Sequence, residues 1–196
     1  MAHTLTDEQE EVLRMHAEAL ASFGRRVRAV GANQWKAPTP CTRWTVRDLV
    51  NHLTVEQLWV PPLMEGATLA EVGDRFDGDQ LGDDPVGTWR RAATAARDAV
   101  IRHGALDATV HLSAGDTPAV EYCSQLTTDA AVHTWDLARA TGGDTRLAPE
   151  LVAFARREVE PYADQLSAGG LFAPPVEVPD DADEQTRLLA LLGRRA

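Results

Sequence analysis

The sequence predicts a mainly α protein, a bundle of amphipathic helices broken by one small extended segment around residues 108–117. Three observations carry this reading. Apolar residues recur at spacings of three and four through most of the chain, which is the period of a helix with one buried face. The runs open on capping sequences and close on glycine or proline. The stretch from Gln125 to Gly142 reads as one long helix ending at the pair Gly142-Gly143.

The first helix opens at Thr6, with Gln9 completing a capping box and Asp7 and Glu8 in the first turn, where the helix dipole favours acids. Leu13, His16, Leu20, Phe23, Val27 and Val30 then form its apolar stripe, and Gly31 ends it. His16 lies on that stripe and reads as a core or boundary histidine, with a place beside a metal as the sharper alternative. Asn33 to Arg43 is a loop, because Pro38 and Pro40 exclude helix. Within it Cys41 reads as a small buried hydrophobe, since no neighbouring residue in sequence would activate its thiol.

Thr45 and Asp48 cap the second helix, whose core face is Val46, Leu49, Val50 and Leu53. His52 and Glu56 share the adjoining row, and Pro61-Pro62 is expected to stop the helix. Residues 65–84, rich in glycine and aspartate, read as a long surface connection of the kind that is often functional or mobile. Asp84 caps a third helix with Pro85 at its first position and Trp89, Ala96 and Val100 on its stripe, ending at His103-Gly104. Thr109 to Leu112 is extended, with a turn before Thr117; His111 there is a weak substrate-contact candidate. Pro118 leads into the fourth helix. A fifth starts near Pro149, Ser167 to Pro179 is loop with Gly169-Gly170, and Asp180 to Gly193 forms a short terminal helix. The length of 196 residues suits one domain over residues 1–196, with the tail 180–196 packed on it.

Composition excludes several function classes. Hydrophobic residues make up 44% and charged residues 25%, as in ordinary globular proteins. No apolar run reaches the roughly 20 residues of a membrane span, so no membrane role is expected. A formal net charge of -11 would repel a phosphate backbone, which argues against nucleic acid while leaving room for a local basic pocket. The N-terminus lacks a basic and then apolar leader, and two cysteines, Cys41 and Cys123, make no disulfide framework. A cytoplasmic, reducing setting follows as the expectation. Alanine-rich helix faces permit a homodimer.

The chemistry points to the fourth helix. Asp129 and His133 are four residues apart and project from one face, so a carboxylate oxygen and an imidazole nitrogen can meet one metal ion. A third ligand must come from elsewhere, and His52 is the candidate. A mid-helix aspartate on a core face also demands a cationic partner. Asp136 and Arg139, three apart, are expected to pair with each other.

His52, the Asp129-x-x-x-His133 pair, the string His133-Thr134-Trp135-Asp136-Leu137-Ala138-Arg139-Ala140-Thr141-Gly142 and the ending Leu188-Leu189-Ala190-Leu191-Leu192-Gly193-Arg194 together resemble the DinB-like superfamily. The branch is similar to the metal-binding N-terminal domain of mycothiol-dependent maleylpyruvate isomerase. The resemblance implies a four-helix bundle holding one divalent metal through His52, Asp129 and His133. Two departures matter. Asp129 stands where that isomerase has glutamate, so its helix must approach the metal more closely or a water must fill in. The isomerase also has an additional C-terminal domain for which this chain shows no counterpart, so metal binding carries over further than maleylpyruvate isomerisation does.

Two histidines and one carboxylate leave coordination positions open, as catalytic sites do. Zn²⁺ is the first expectation, and Ni²⁺, Fe²⁺ or Mn²⁺ suit the same ligands. The leading reading is an enzyme in which the metal activates a low-molecular-weight thiol such as mycothiol for transfer to, or isomerisation of, a small electrophile. The alternatives are hydrolysis by metal-bound water, with Glu56 or Asp136 as base, and a non-catalytic metal-binding bundle.

Overall fold

Thr6 accepts a hydrogen bond from the Gln9 backbone while the Gln9 side chain returns one to Thr6, and this reciprocal cap starts the first helix, α1 (Asp7–Ala29). The same device, with Thr45 and Asp48, starts α2 (Val46–Met64). These features belong to a computed structural model that describes residues 4–169 and 172–196. Met1 to His3 at the N-terminus and Gly170 in the loop assigned after Ser167 lie outside the described residues.

Helix α2 runs through Pro61 and Pro62 instead of stopping before them. The two rings remove N–H donors in the last turn only. Val60 and Leu63, 0% and 2% exposed, keep that turn seated on the core. Residues 65–84 lie largely at the surface, as expected of a connection, but they are ordered. Thr68 and Glu71 form a third capping box and nucleate the one-turn helix α3 (Leu69–Val72). The rest of the segment lies against α2: Arg47 pairs with Asp79, Asn51 holds Gly78 and Gln80, Phe76 meets the Trp59 ring edge-on, and Leu81 is buried. Short-range capping and contacts to α2 across some 30 residues of sequence escape a reading by periodicity.

Asp84 caps α4 (Pro85–Val100), with proline at its first position as expected. The extended segment is an antiparallel hairpin, β1 (Thr109–Leu112) with β2 (Gly115–Pro118), in the register Val110 with Thr117 and His111 with Asp116. The long helix α5 (Ala119–Thr141) ends on Gly142, whose φ of 71° is the left-handed conformation that closes many helices. Helix α6 (Pro149–Val159) follows, then the short α7 (Ala163–Ala168), which fills part of the expected loop, and the terminal α8 (Glu184–Leu191).

Helices α1, α2, α4 and α5 make the bundle. α1 lies along α5 and α2 along α4, and the remaining faces close α1 on α4 and α2 on α5. Phe23 and Trp89 meet edge-to-face at 4.7 Å between α1 and α4. The hairpin sits against α2 and α5, and α6 covers α5 with α8 docked on α6. Leu188, Leu189 and Leu192 of that last segment are fully buried, each contributing about 1.5–3 kcal/mol of apolar transfer. No helix among the described residues is long and apolar enough to cross a membrane.

Candidate metal centre

From Leu126 to Ala138 nearly every residue of α5 is buried, so each polar side chain there needs a partner. The helical period puts Asp129, His133 and Asp136 along one face, and the neighbouring α2 presents His52 to it. The Asp129 carboxylate bridges the two histidines: Oδ2 lies 3.2 Å from His52 Nε2 and Oδ1 lies 3.3 Å from His133 Nε2. One ligand atom from each of the three residues falls within 4.8 Å of the others. His133 is 4% exposed, while His52 and Asp129, at 29% and 24%, open onto solvent.

Burial by itself would raise the Asp129 carboxyl. The charge of His133 and hydrogen bonds from His133 and His52 outweigh it and hold Asp129 well below the usual carboxylate range. Burial likewise works against a charged His133, but Asp129 and Asp136 on its two sides push it well above the ordinary histidine value.

Behind His133 lies a second layer. Its Nδ1 faces Asp136 Oδ2 at 2.9 Å, and Asp136 is fully buried. Arg194, just beyond α8, reaches Asp136 with both ends of its fork, Nη2 to Oδ2 at 2.9 Å and Nε to Oδ1 at 3.3 Å. The expected Asp136–Arg139 pair therefore does not form. Arg139 points outward and lines the cavity, and the aspartate takes a buried cation from a distant segment in preference to an exposed neighbour. Burial opposes ionisation of Asp136, yet the bonds from His133 and Arg194 hold its carboxyl below the usual range.

Cys41 joins this layer, with Sγ 3.4 Å from Asp136 Oδ2, 3.5 Å from Arg194 Nη2 and 3.8 Å from His133 Nδ1. It is half-buried at the site, not a core hydrophobe; its partners are 92 to 153 residues away, out of view of local sequence. Cys41, His133 and Asp136 thus make a second cluster with ligand-like spacing.

The first cluster opens on a cavity of about 1210 Å³ whose walls include Trp44, Glu56, Tyr122 and Phe172. The Trp44 ring lies 4.7 Å from that of His52 and 5.7 Å from that of His133. Phe172 stacks on His133 with ring centroids 6.5 Å apart and carries the Arg194 guanidinium 4.9 Å over its own ring. Burial, then the charge of Asp129, raise the Glu56 carboxyl, and the two histidines oppose this. Asp136 does not reach the cavity wall.

The structure thus brings His52, Asp129 and His133 together, with Glu56 beside them and Asp136 behind. It leaves out two others. His16 is fully buried in the bundle, and His111 binds Asp116 across the hairpin at 2.7 Å, off the cavity. Trp44, Phe172 and Arg194 also belong to the site, and no local motif around them identifies them as such. Only the terminal Leu-Leu-Gly-Arg string hinted at the last of them.

The model of the mycothiol maleylpyruvate isomerase N-terminal domain family matches residues 16–138, which include His52, Asp129, His133 and Asp136. The chain belongs to this family. Two uncharacterized proteins, from two strains of Mycobacterium tuberculosis, are each 34% identical over 190 residues, covering 93% of this chain and 97% of theirs. No solved structure matches the chain at a significant level. The family match stops at Ala138, so Phe172 and Arg194 complete the site from outside the matched region.

Proposed function

We propose that this family member is a metal-dependent enzyme that activates a low-molecular-weight thiol for transfer to, or isomerisation of, a small electrophile. The observation that carries the reading is the convergence of two imidazole nitrogens and a carboxylate within 4.8 Å at the wall of a large cavity. Two histidines and one carboxylate match a divalent metal, Zn²⁺ first and Ni²⁺, Fe²⁺ or Mn²⁺ next, and leave positions for a ligand. The donor chemistry fits as well. His133 has Nδ1 engaged by Asp136, which favours the tautomer with the proton there and the Nε2 lone pair toward His52 and Asp129. The other cluster fits less well, because the Arg194 guanidinium already supplies the cation between Cys41 and Asp136.

His52, Asp129 and His133 would hold the ion, and a bound divalent metal would act as a Lewis acid that favours thiolate over thiol. The chain's own residues do the rest. Glu56 lies one helical turn from His52 and faces the same cavity. Its raised carboxyl is suited to take the thiol proton at a carboxylate oxygen and hand it on. Trp44 and Phe172 pack against His133 and shield it from bulk water, while His52 keeps access to the cavity. Asp136 holds His133 and does not meet substrate.

Elemental analysis tests the site. Wild type should carry close to one divalent ion per chain, and His52→Ala, Asp129→Ala and His133→Ala, each shown to be folded, should carry almost none. Metal-free wild type after loading, or folded variants that keep their ion, would sink the reading. Turnover of an electrophile that needs added thiol supports transfer, and turnover in its absence supports hydrolysis.

A further inference from the structure

We infer that Arg194 is a positioning residue for the proposed metal centre, acting on His133 through Asp136. The inference rests on the proposed ligand set of His52, Asp129 and His133. What it adds is that a residue beyond the family-matched region sets the geometry of that ligand set.

Asp136 is 0% exposed and uses both oxygens. Oδ1 accepts from Arg194 Nε, while Oδ2 accepts from Arg194 Nη2, from His133 Nδ1 and from the Cys41 thiol. A forked guanidinium fixes the plane of a carboxylate as well as its place. The carboxylate plane in turn sets the swing of the His133 ring, and the ring sets where Nε2 points. Without the guanidinium, a buried carboxylate would be left with one imidazole and one weak thiol donor, both on Oδ2, and the bond that fixes its plane at Oδ1 would be lost.

Arg194 is itself held on every side. Its backbone N–H donates to Leu189 O at 2.8 Å, and its Nη1 donates to Leu192 O at 2.7 Å. Leu189 and Leu192 are fully buried, and the guanidinium rests on the Phe172 ring. Gly193 makes the turn that aims it, at φ 77°, where a Cβ would stand 2.5 Å from that of Ala173 and 2.8 Å from Ala173 backbone. Arg194 borders the cavity, but its Nε and Nη2 are bonded to Asp136 and its Nη1 to Leu192 O, and its side chain is only 9% exposed, so the guanidinium is committed to the wall.

The test is Zn²⁺ affinity, measured by competition with a chromophoric chelator, on wild type, Arg194→Gln, Arg194→Lys, Asp136→Asn and the double variant Asp136→Asn/Arg194→Gln. Circular dichroism checks folding of each. Arg194→Gln should weaken Zn²⁺ binding about 10- to 100-fold, the usual cost of losing support behind a ligand. Arg194→Lys should recover part of it, since an ammonium keeps the charge without the fork. The double variant should bind no worse than Asp136→Asn, because the arginine acts through that carboxylate. Wild-type affinity in folded Arg194→Gln, or losses that multiply in the double variant, would overturn the inference while leaving the ligand set intact. If Arg194→Gln does not fold, Arg194→Lys decides, and wild-type affinity there overturns it. Wild type that binds no Zn²⁺ overturns the ligand set and this inference with it.

Discussion

Single residues show how much of this protein turns on burial of titratable groups. His16 is sealed in the bundle, and burial together with the Arg97 charge outweighs Gln57 and lowers its pKa from 6.5 to about 4. The fold therefore holds it neutral. Its stabilising effect is complete above pH 6.5 and is lost as pH falls toward 4, because the unfolded chain takes up the proton first. By pH 4 the loss amounts to at most about 3 kcal/mol. His16→Leu should remove that pH dependence, so urea midpoints of wild type and variant should be similar at pH 7 and should separate toward pH 4, with the variant the more stable there. Parallel curves would contradict it. Gln57 is the polar neighbour of His16, yet neither His16 nitrogen makes a well-formed hydrogen bond among the described residues, so the leucine should cost little at neutral pH. The sequence placed His16 on the apolar stripe of its helix, and its neutral, buried state follows from that. For Asp136 the sequence offered only Arg139, because the actual partner lies 58 residues on and no local rule selects it.

The helices were the most legible part of the chain. The capping boxes at Thr6 and Thr45, the Asp84–Pro85 start and the glycine after Thr141 all rest on bonds within one turn, and all are present in the structure. Thr45→Ala should cost about 1 kcal/mol of stability, seen as a lower urea midpoint with unchanged slope. What local rules missed was anything fixed by contacts distant in sequence: the continuation of α2 through its two prolines, and the ordering of residues 65–84 on that helix. The turn at Gly193 belongs to the same class. Gly193→Ala forces a left-handed φ and a clash with Ala173, so it should destabilise the protein by roughly 1–3 kcal/mol in the same titration. Stability equal to wild type would show that the segment has another way to turn.

For the whole molecule, the bundle sets the spacing between α2, which carries His52, and α5, which carries Asp129 and His133. The sequence supplied the two proposed ligands on one helix directly. What it could not supply is the packing of α2 beside α5 that brings His52 to them, since helix period says nothing about which helices are neighbours. A metal that joins two helices and binds only the folded chain should raise stability by about 2.7 kcal/mol at a hundredfold excess over Kd. That corresponds to a rise of roughly 5–10 °C in Tm for a chain of this size. Calorimetry with and without Zn²⁺ checks it, and folded His52→Ala should show no rise. The indole of Trp44, in contact with both His52 and His133, turns the same centre into a natural fluorophore-and-quencher pair. An imidazole that exchanges a proton for a metal changes the charge against that ring, so its emission should shift on loading, and the shift should vanish in Trp44→Phe. Trp44 emission would thus serve as an internal optical gauge of whether the proposed centre is filled.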